Sequence, residues 1–169
     1  ALSAALAEMV ARLTVGKKRY VAVEETMRAV AAAAATLREE LLAAMDEDVA
    51  AFEAVLEAFR LPKDDPARQE VIQEVTARAA DVPLHVARLA LEAMRLEQVA
   101  AHGNTNAASD AATAVVMGLA AVEGAAMNVR INAAGLEDAQ LAGRYRHDAS
   151  ALVENARAIR DAVIRTVEA

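Results

Sequence analysis

The sequence of 169 residues contains no cysteine and no tryptophan, and only 2% of its residues are aromatic. The absence of cysteine excludes disulfide bonds, thiolate nucleophiles and cysteine-ligated zinc. β-Sheet proteins draw on aromatic and β-branched residues, whereas alanine is the best helix former. Alanine occurs 46 times in this chain. The composition therefore predicts an all-α protein.

Glycine and proline are also scarce, with six glycines and three prolines, so the helices between them should be long. No helix breaker occurs between Val21 and Leu61. We expect about six helices, with one boundary at Pro83, where Asp81 would cap a new helix. Short connections favour an antiparallel bundle. Residues 1–169 are predicted to form a single helical domain.

Positive charge is low, because 18 basic residues stand against 25 acidic residues and give a formal net charge of −7. Nucleic-acid-binding domains are typically basic, so no nucleic-acid partner is expected. The three histidines show no metal-ligand spacing, and we expect no metal site. No signal peptide is visible, and the predicted location is cytoplasmic.

The one long hydrophobic run covers residues 111–129, in which Glu123 is the single charged residue. Alanine and glycine dominate this run, whereas membrane spans are rich in leucine and isoleucine. We therefore expect a helix buried on most sides and no membrane association.

A polar side chain on the apolar face of a helix is an informative signal, because burying an unpaired charge is costly. At 100° per residue, Asp48 lies inside the apolar arc of the long second helix. It is a candidate for catalysis, or else a buried aspartate that pairs with an arginine or caps a neighbouring helix. The arc comprises Leu37, Leu41, Met45, Val49, Phe52, Val55, Leu56 and Phe59.

A stripe of polar and small residues follows the helix after His102. Small residues often mark a close helix contact, but buried asparagines such as Asn128 and Asn132 need hydrogen-bond partners. Asp110 and Asn128 share one azimuth, yet a helix of this length separates them by roughly 27 Å. Either they bind an elongated ligand, or the two ends of the stripe serve two sites, as in a site between subunits. The stripe comprises Asp110, Thr113, Met117, Gly124, Asn128 and Asn132.

Five segments occur in order along the chain: AEMVARLTVGKKRY, DEDVAAFEAVLEAFRLPK, DVPL, GNTNAASD and MNVRINAAGLED. Together they resemble the cyclodeaminase domain of formiminotransferase-cyclodeaminase and its stand-alone bacterial relatives, which include methenyltetrahydrofolate cyclohydrolases. The resemblance spans nearly the whole chain. It implies an all-helical fold and a homodimer with its active site near the subunit interface. It also implies a tetrahydrofolate derivative as substrate, with no permanently bound cofactor.

The resemblance also implies roles for individual residues. Asp48 and Asp110 would be the catalytic carboxylates, one of which takes the proton from N10 of the substrate. Asparagines would bind the pterin edge, and lysines the glutamate carboxylates of folate. Phe52 is added as the aromatic residue close in sequence to Asp48. The substrate-binding candidates are Lys17, Lys18, Phe52, Lys63, Asn104, Ser109, Asn128 and Asn132.

The expected activity is cyclodeamination of 5-formiminotetrahydrofolate to 5,10-methenyltetrahydrofolate and ammonia. The alternative is a cyclohydrolase, which opens the methenyl bridge with water and could use the same carboxylates. A third interpretation is a non-catalytic helical interaction protein, for which substitution of Asp48 and Asp110 would have no consequence.

Overall fold

The computed structural model describes all residues from Ala1 to Ala169, and it contains five long α-helices and no β-strand. The predicted all-α class is therefore confirmed, and the second helix is continuous over 37 residues, as its lack of glycine and proline indicates. The helices are α1 (Leu2–Thr14), α2 (Glu24–Arg60), α3 (Arg68–Ala100), α4 (Ala108–Ala133) and α5 (Ala139–Glu168), with two short 3-10 helices at Lys18–Val23 and Thr105–Ala107.

The predicted count of six helices is wrong, because Pro83 lies inside α3 and does not separate two helices. Proline lacks a backbone N–H, so it leaves the carbonyl of Ala79 without its helical donor. Asn132 on α4 supplies the missing donor, with its Nδ2 at 2.6 Å from that carbonyl oxygen. Asp81 is not a cap but accepts a hydrogen bond from the Tyr145 hydroxyl at 2.7 Å. Helix α3 is thus continuous through its proline, and α4 supplies a donor for the carbonyl that the proline leaves unpaired.

Helix α3 lies at the centre of the fold and packs against the other four helices. The largest core cluster lies between α3, α4 and α5 and consists mainly of alanine, valine and leucine. Two smaller clusters join α1 and α2 to α3. Small side chains in these contacts let the helix axes approach closely, which explains how an alanine-rich chain fills its core.

The apolar segment Thr105–Ala133 is long and apolar enough to cross a membrane by length and composition alone. In this fold its helix α4 packs against α1, α3 and α5. Its residues Val115, Val122 and Val129 are 0% exposed. One side of the segment therefore packs into the core, but only 33% of its most apolar window is buried. The prediction that α4 is buried on most sides is wrong, since Val116, Met127 and Ile131 are 50–72% exposed.

The apolar arc predicted for α2 is divided between two neighbouring faces. Ala44, Ala51 and Ala58 are buried where α2 packs against the rest of the fold. Larger residues next to them are 42–62% exposed, so the apolar arc is not buried along its whole width. We call this exposed face the α2 seam; it consists of Leu42, Met45, Val49, Phe52, Leu56 and Phe59, which alternate spacings of three and four residues as in a coiled coil.

Gly118 marks a close approach between α4, α3 and α1. A Cβ atom at this position would overlap Met94 Cγ and lie 3.0 Å from Ser3 Oγ. We predict that Gly118→Ala lowers the free energy of unfolding by about 1–3 kcal/mol, because overpacking displaces the neighbouring side chains. Urea denaturation measures the change.

Gly143→Ala on α5 is the matched control, since a Cβ atom there meets nothing within 4 Å. It should raise the free energy of unfolding by about 0.5–1 kcal/mol, the usual gain on replacing an exposed helical glycine. Equal effects of the two substitutions would contradict the close packing at Gly118.

Candidate active site

A groove lies between α2 and α4, with α3 as its floor. Its wider part has a volume of about 460 Å³, and its narrower part has a volume of about 170 Å³. Asp48 from α2 and Asn128 from α4 line both parts, so we treat them as one groove and call it the Asp48 groove. Its size suits a small organic ligand.

Asp48 is partly buried and lies on the same side of α2 as Ala44 and Ala51. All seven ion pairs of the structure lie elsewhere, and the side chains that cap helices are those of Asn104 and Asp138, not that of Asp48. The alternative roles of a salt-bridged or capping aspartate are therefore not observed. The carboxylate remains available to a ligand in the groove.

Asn128 and Asn132 lie one turn apart on α4 and are joined by a hydrogen bond. Asn132 Nδ2 donates to Asn128 Oδ1 at 3.0 Å, and also to the Ala79 carbonyl oxygen at 2.6 Å. The Nδ2 group of Asn132 is thus used within the protein, while its Oδ1 accepts from no protein group. Asn128 is the asparagine that retains a hydrogen-bond donor for the groove.

The structure places Phe52 and Lys63 differently with respect to the groove. Phe52 lines the narrower part and is 61% exposed, so it lies at the open side. Lys63 is exposed in the turn that follows α2 and lines neither part of the groove.

Asn104 is a structural residue of the turn between α3 and α4. It is 6% exposed, its Nδ2 donates to the Leu13 carbonyl at 3.1 Å, and its Oδ1 accepts from the Asn106 amide at 3.1 Å. These bonds fasten the turn to the end of α1. Its side chain is therefore occupied by protein partners in this chain.

Lys17 and Lys18 lie at the same end of the molecule as this turn. The Tyr20 hydroxyl, which follows them in sequence, accepts a hydrogen bond from the Thr105 amide at 3.1 Å. Both lysines are exposed, and Gly16 before them adopts φ = 78°, a conformation that favours glycine. We call the candidates at this end the turn cluster; they are Lys17, Lys18, Asn104, Ser109 and Asp110.

The turn cluster and the Asp48 groove are separate sites within one chain. Asp110 and Asn128 lie on the same continuous helix α4, and 18 residues of helix correspond to roughly 27 Å. The structure therefore brings together Asp48, Phe52, Asn128 and Asn132. It leaves Asp110 and the rest of the turn cluster at the other end of α4.

Glu97 on α3 is a buried carboxylate that sequence placement did not identify. It is 0% exposed, and neither carboxylate oxygen has a hydrogen-bond partner. Burial, with a smaller repulsion from Asp110, raises the pKa of Glu97 to about 8. Helical spacing offers a signal for it, because Glu97 continues the buried stripe of Ala90 and Met94.

Another cavity, of about 290 Å³, lies between α4 and α5 and contains none of the predicted site residues. Its charged residues include Glu123 and Arg157, which form an ion pair at 2.6 Å. Most of its charged side chains are exposed. The Asp48 groove is the better candidate because it joins an unpaired carboxylate to an oriented amide.

Comparison with known proteins now decides the family. The family model described as formiminotransferase-cyclodeaminase matches residues 1–151. The chain belongs to this family. The resemblance inferred from the five sequence segments is therefore confirmed.

Relatives within the formiminotransferase-cyclodeaminase family carry two kinds of name. A methenyltetrahydrofolate cyclohydrolase from Methylorubrum extorquens is 39% identical, over 99% of this chain and 83% of that protein. A formimidoyltransferase-cyclodeaminase from Mus musculus is 32% identical; the alignment covers the whole chain but only 32% of that longer protein. Family membership thus supports folate-processing enzyme chemistry without choosing between the two activities.

A solved structure shows the same fold. The crystal structure of a formiminotetrahydrofolate cyclodeaminase from Thermotoga maritima matches with a TM-score of 0.91 and 28% identity. The match covers 98% of this chain and 81% of that one. The helical arrangement described above is therefore the cyclodeaminase fold.

We predict that the contribution of Glu97 to the free energy of unfolding falls as the pH rises from about 4.5 to about 8, because the folded state keeps Glu97 protonated over this range. Glu97→Gln removes the titration. The variant should match the wild type near pH 4.5 and exceed it above pH 8. A tenfold difference in proton affinity corresponds to about 1.4 kcal/mol.

Urea denaturation across this pH range measures the difference. Glu47→Gln is the control, because Glu47 is exposed on α2 and forms no ion pair. If the wild type and Glu97→Gln show the same pH dependence, Glu97 is not held neutral by burial.

Proposed function

We propose that the chain acts on the one-carbon unit of a tetrahydrofolate, with cyclodeamination of 5-formiminotetrahydrofolate as the first candidate reaction. The observation that carries this proposal is the placement of an unpaired Asp48 beside Asn128 in one groove. The substrate class rests on family membership and on the names of the relatives.

One carboxylate can serve this reaction. In the protonated formimino group, N10 attacks the formimino carbon and acquires a positive charge. Asp48 takes the proton from N10 and passes it to the amino nitrogen, after which the bond from carbon to that nitrogen breaks and ammonia leaves. The positive charge remains on the methenyl bridge, and the nearby carboxylate stabilises it.

Asp110 does not act at these atoms within the same chain, because roughly 27 Å of α4 separates it from Asn128. A catalytic role for Asp110 would require the turn cluster of a second copy or a second site. For a single chain we therefore assign the proton transfer to Asp48 alone. Lys63, exposed beyond the end of α2, is the lysine that a folate tail leaving the groove in that direction would meet.

Methenyltetrahydrofolate cyclohydrolysis is the second candidate. The observation in its favour is the cyclohydrolase at 39% identity, most of whose length this chain matches. Here Asp48 would take a proton from water as the oxygen adds to the methenyl carbon. Asp48 would then return this proton to the departing nitrogen as the bond from carbon to that nitrogen breaks. The hydroxyl group of the adduct would lose its proton to solvent, which leaves a formyl group on the other nitrogen.

Absorbance of 5,10-methenyltetrahydrofolate separates the candidates. Cyclodeamination predicts that absorbance rises when 5-formiminotetrahydrofolate is supplied, and cyclohydrolysis predicts that it falls when the methenyl compound is supplied directly. No change with either compound, together with no binding of folate, would overturn both candidates and favour a non-catalytic interaction protein.

We predict that Asp48→Asn lowers kcat by about 100-fold or more, because an amide cannot carry the proton. Its folding should be unchanged, since Asp48 has no ion-pair partner to lose. Asp46→Asn is the matched control, two residues away on the exposed side of α2. Turnover that survives Asp48→Asn in folded protein would remove Asp48 from the mechanism.

We also propose a cytoplasmic homodimer in which a second copy covers the α2 seam. Six large apolar side chains at coiled-coil spacing are exposed there, and a contiguous apolar patch of this kind is typical of an interface. Met45, Val49 and Phe52 belong both to the seam and to the lining of the Asp48 groove. A copy packed on the seam would therefore border the active site.

Leu56→Lys should dissociate this dimer, because it places a charge in the seam without touching the groove lining. Sedimentation velocity measures the change in mass. The adjacent exposed Glu57→Lys should leave the dimer intact. A monomeric wild type, or a dimeric Leu56→Lys, would show that the seam is not the interface.

A further inference from the structure

The orientation of both asparagine side chains follows from one backbone carbonyl. A carbonyl oxygen accepts hydrogen bonds and never donates, so the Asn132 atom at 2.6 Å from the Ala79 oxygen must be Nδ2. The same Nδ2 lies 3.0 Å from the side chain of Asn128, where the facing atom must be the acceptor Oδ1. Hydrogen-bond chemistry thus excludes the flipped amide at both positions.

Pro83 is the reason that this carbonyl is available. In an uninterrupted helix the N–H of residue 83 would donate to the Ala79 oxygen, and proline has no N–H to give. The freed carbonyl faces α4, where Asn132 meets it. Pro83 itself lines the wider part of the Asp48 groove, while Ala79 and Asn132 line the narrower part.

The Asn128 side chain therefore has one atom, Nδ2, that forms no hydrogen bond within the protein. Its Oδ1 accepts from Asn132, whereas its Nδ2 donates to no protein group. This Nδ2 is not one of the fully buried polar atoms that lack a partner, so a ligand can reach it. Asn128 lines both parts of the groove. The groove thus offers a hydrogen-bond donor from Asn128 and two acceptors, the carboxylate of Asp48 and Asn132 Oδ1, which accepts from no protein group.

We propose that Pro83 and Asn132 are positioning residues that hold the Asn128 amide with Nδ2 towards the groove, so that the site selects a ligand with an acceptor at that point. This inference rests on the proposed folate function for the identity of that acceptor. In a folate it is the 4-oxo group of the pterin, which lies next to N5, where the one-carbon unit is attached. Asn128 would then bind the pterin ring while Asp48 transfers the proton.

The test compares binding of tetrahydrofolate with that of its 4-amino counterpart, which presents a donor in place of the 4-oxo acceptor. The wild type should prefer the 4-oxo compound by about tenfold, the effect of one neutral hydrogen bond. Asn132→Asp cannot donate to Ala79 and instead accepts from Asn128 Nδ2, which turns Oδ1 to the groove. It should abolish or reverse the preference.

Asn155→Asp is the matched control, because it adds the same charge at an exposed position on α5. It should keep the wild-type preference. Pro83→Ala provides a second variant in case Asn132→Asp fails to fold. It supplies an N–H to the Ala79 carbonyl and loosens Asn132, so the preference should fall. Pro83 is buried, so urea denaturation of this variant checks that the protein stays folded without the proline ring.

A measurement without ligand tests the positioning role of Pro83 and Asn132 separately from the folate function. In protein labelled with ¹⁵N-asparagine, the side-chain amide protons of Asn132 should exchange with solvent more slowly than those of Asn128, and Pro83→Ala should reduce the difference. Equal exchange in the wild type, or an unchanged 4-oxo preference in both variants, would overturn the positioning role. A wild type with ordered amides that binds neither compound would instead overturn the folate function.

Discussion

The hydrogen bond from Asn132 to the Ala79 carbonyl is the contact on which the functional part of this structure depends. It satisfies the acceptor that Pro83 exposes, and it ties α4 to the central helix α3. It also leads to Asn128, whose side chain accepts from the same Asn132 group and lines the groove together with Asp48. A proline that would ordinarily weaken a helix is therefore part of the floor of the groove, and one polar contact links helix continuity, packing and the chemistry of the site.

The sequence predicts the helical class and much of the groove, because both depend on local periodicity. Placement at 100° per residue puts Asp48 on the inner side of α2 and singles out Asn128 and Asn132. It predicts a helix boundary at Pro83 wrongly, since the donor for the carbonyl that Pro83 leaves unpaired comes from 53 residues beyond Ala79. Periodicity also cannot distinguish a core face from an exposed one, so the sequence does not reveal that the α2 seam is exposed.

Two polar centres lie at opposite ends of α4. One is the Asp48 groove, and the other is the turn cluster, where Asp110 adds to the burial that keeps Glu97 neutral. A helix of this length prevents both from touching one small group. The exposed seam beside the groove gives a physical reason for a second copy, and a dimer is the arrangement in which residues far apart in one chain can serve neighbouring sites.

A crystal structure with a stable 5-substituted tetrahydrofolate tests the central claim most directly, that the substrate occupies the Asp48 groove. The account predicts the pterin between α2 and α4, with its 4-oxo group within hydrogen-bond distance of Asn128 Nδ2 and N10 near the Asp48 carboxylate. A ligand bound instead in the cavity between α4 and α5, with no contact to Asp48, would contradict it.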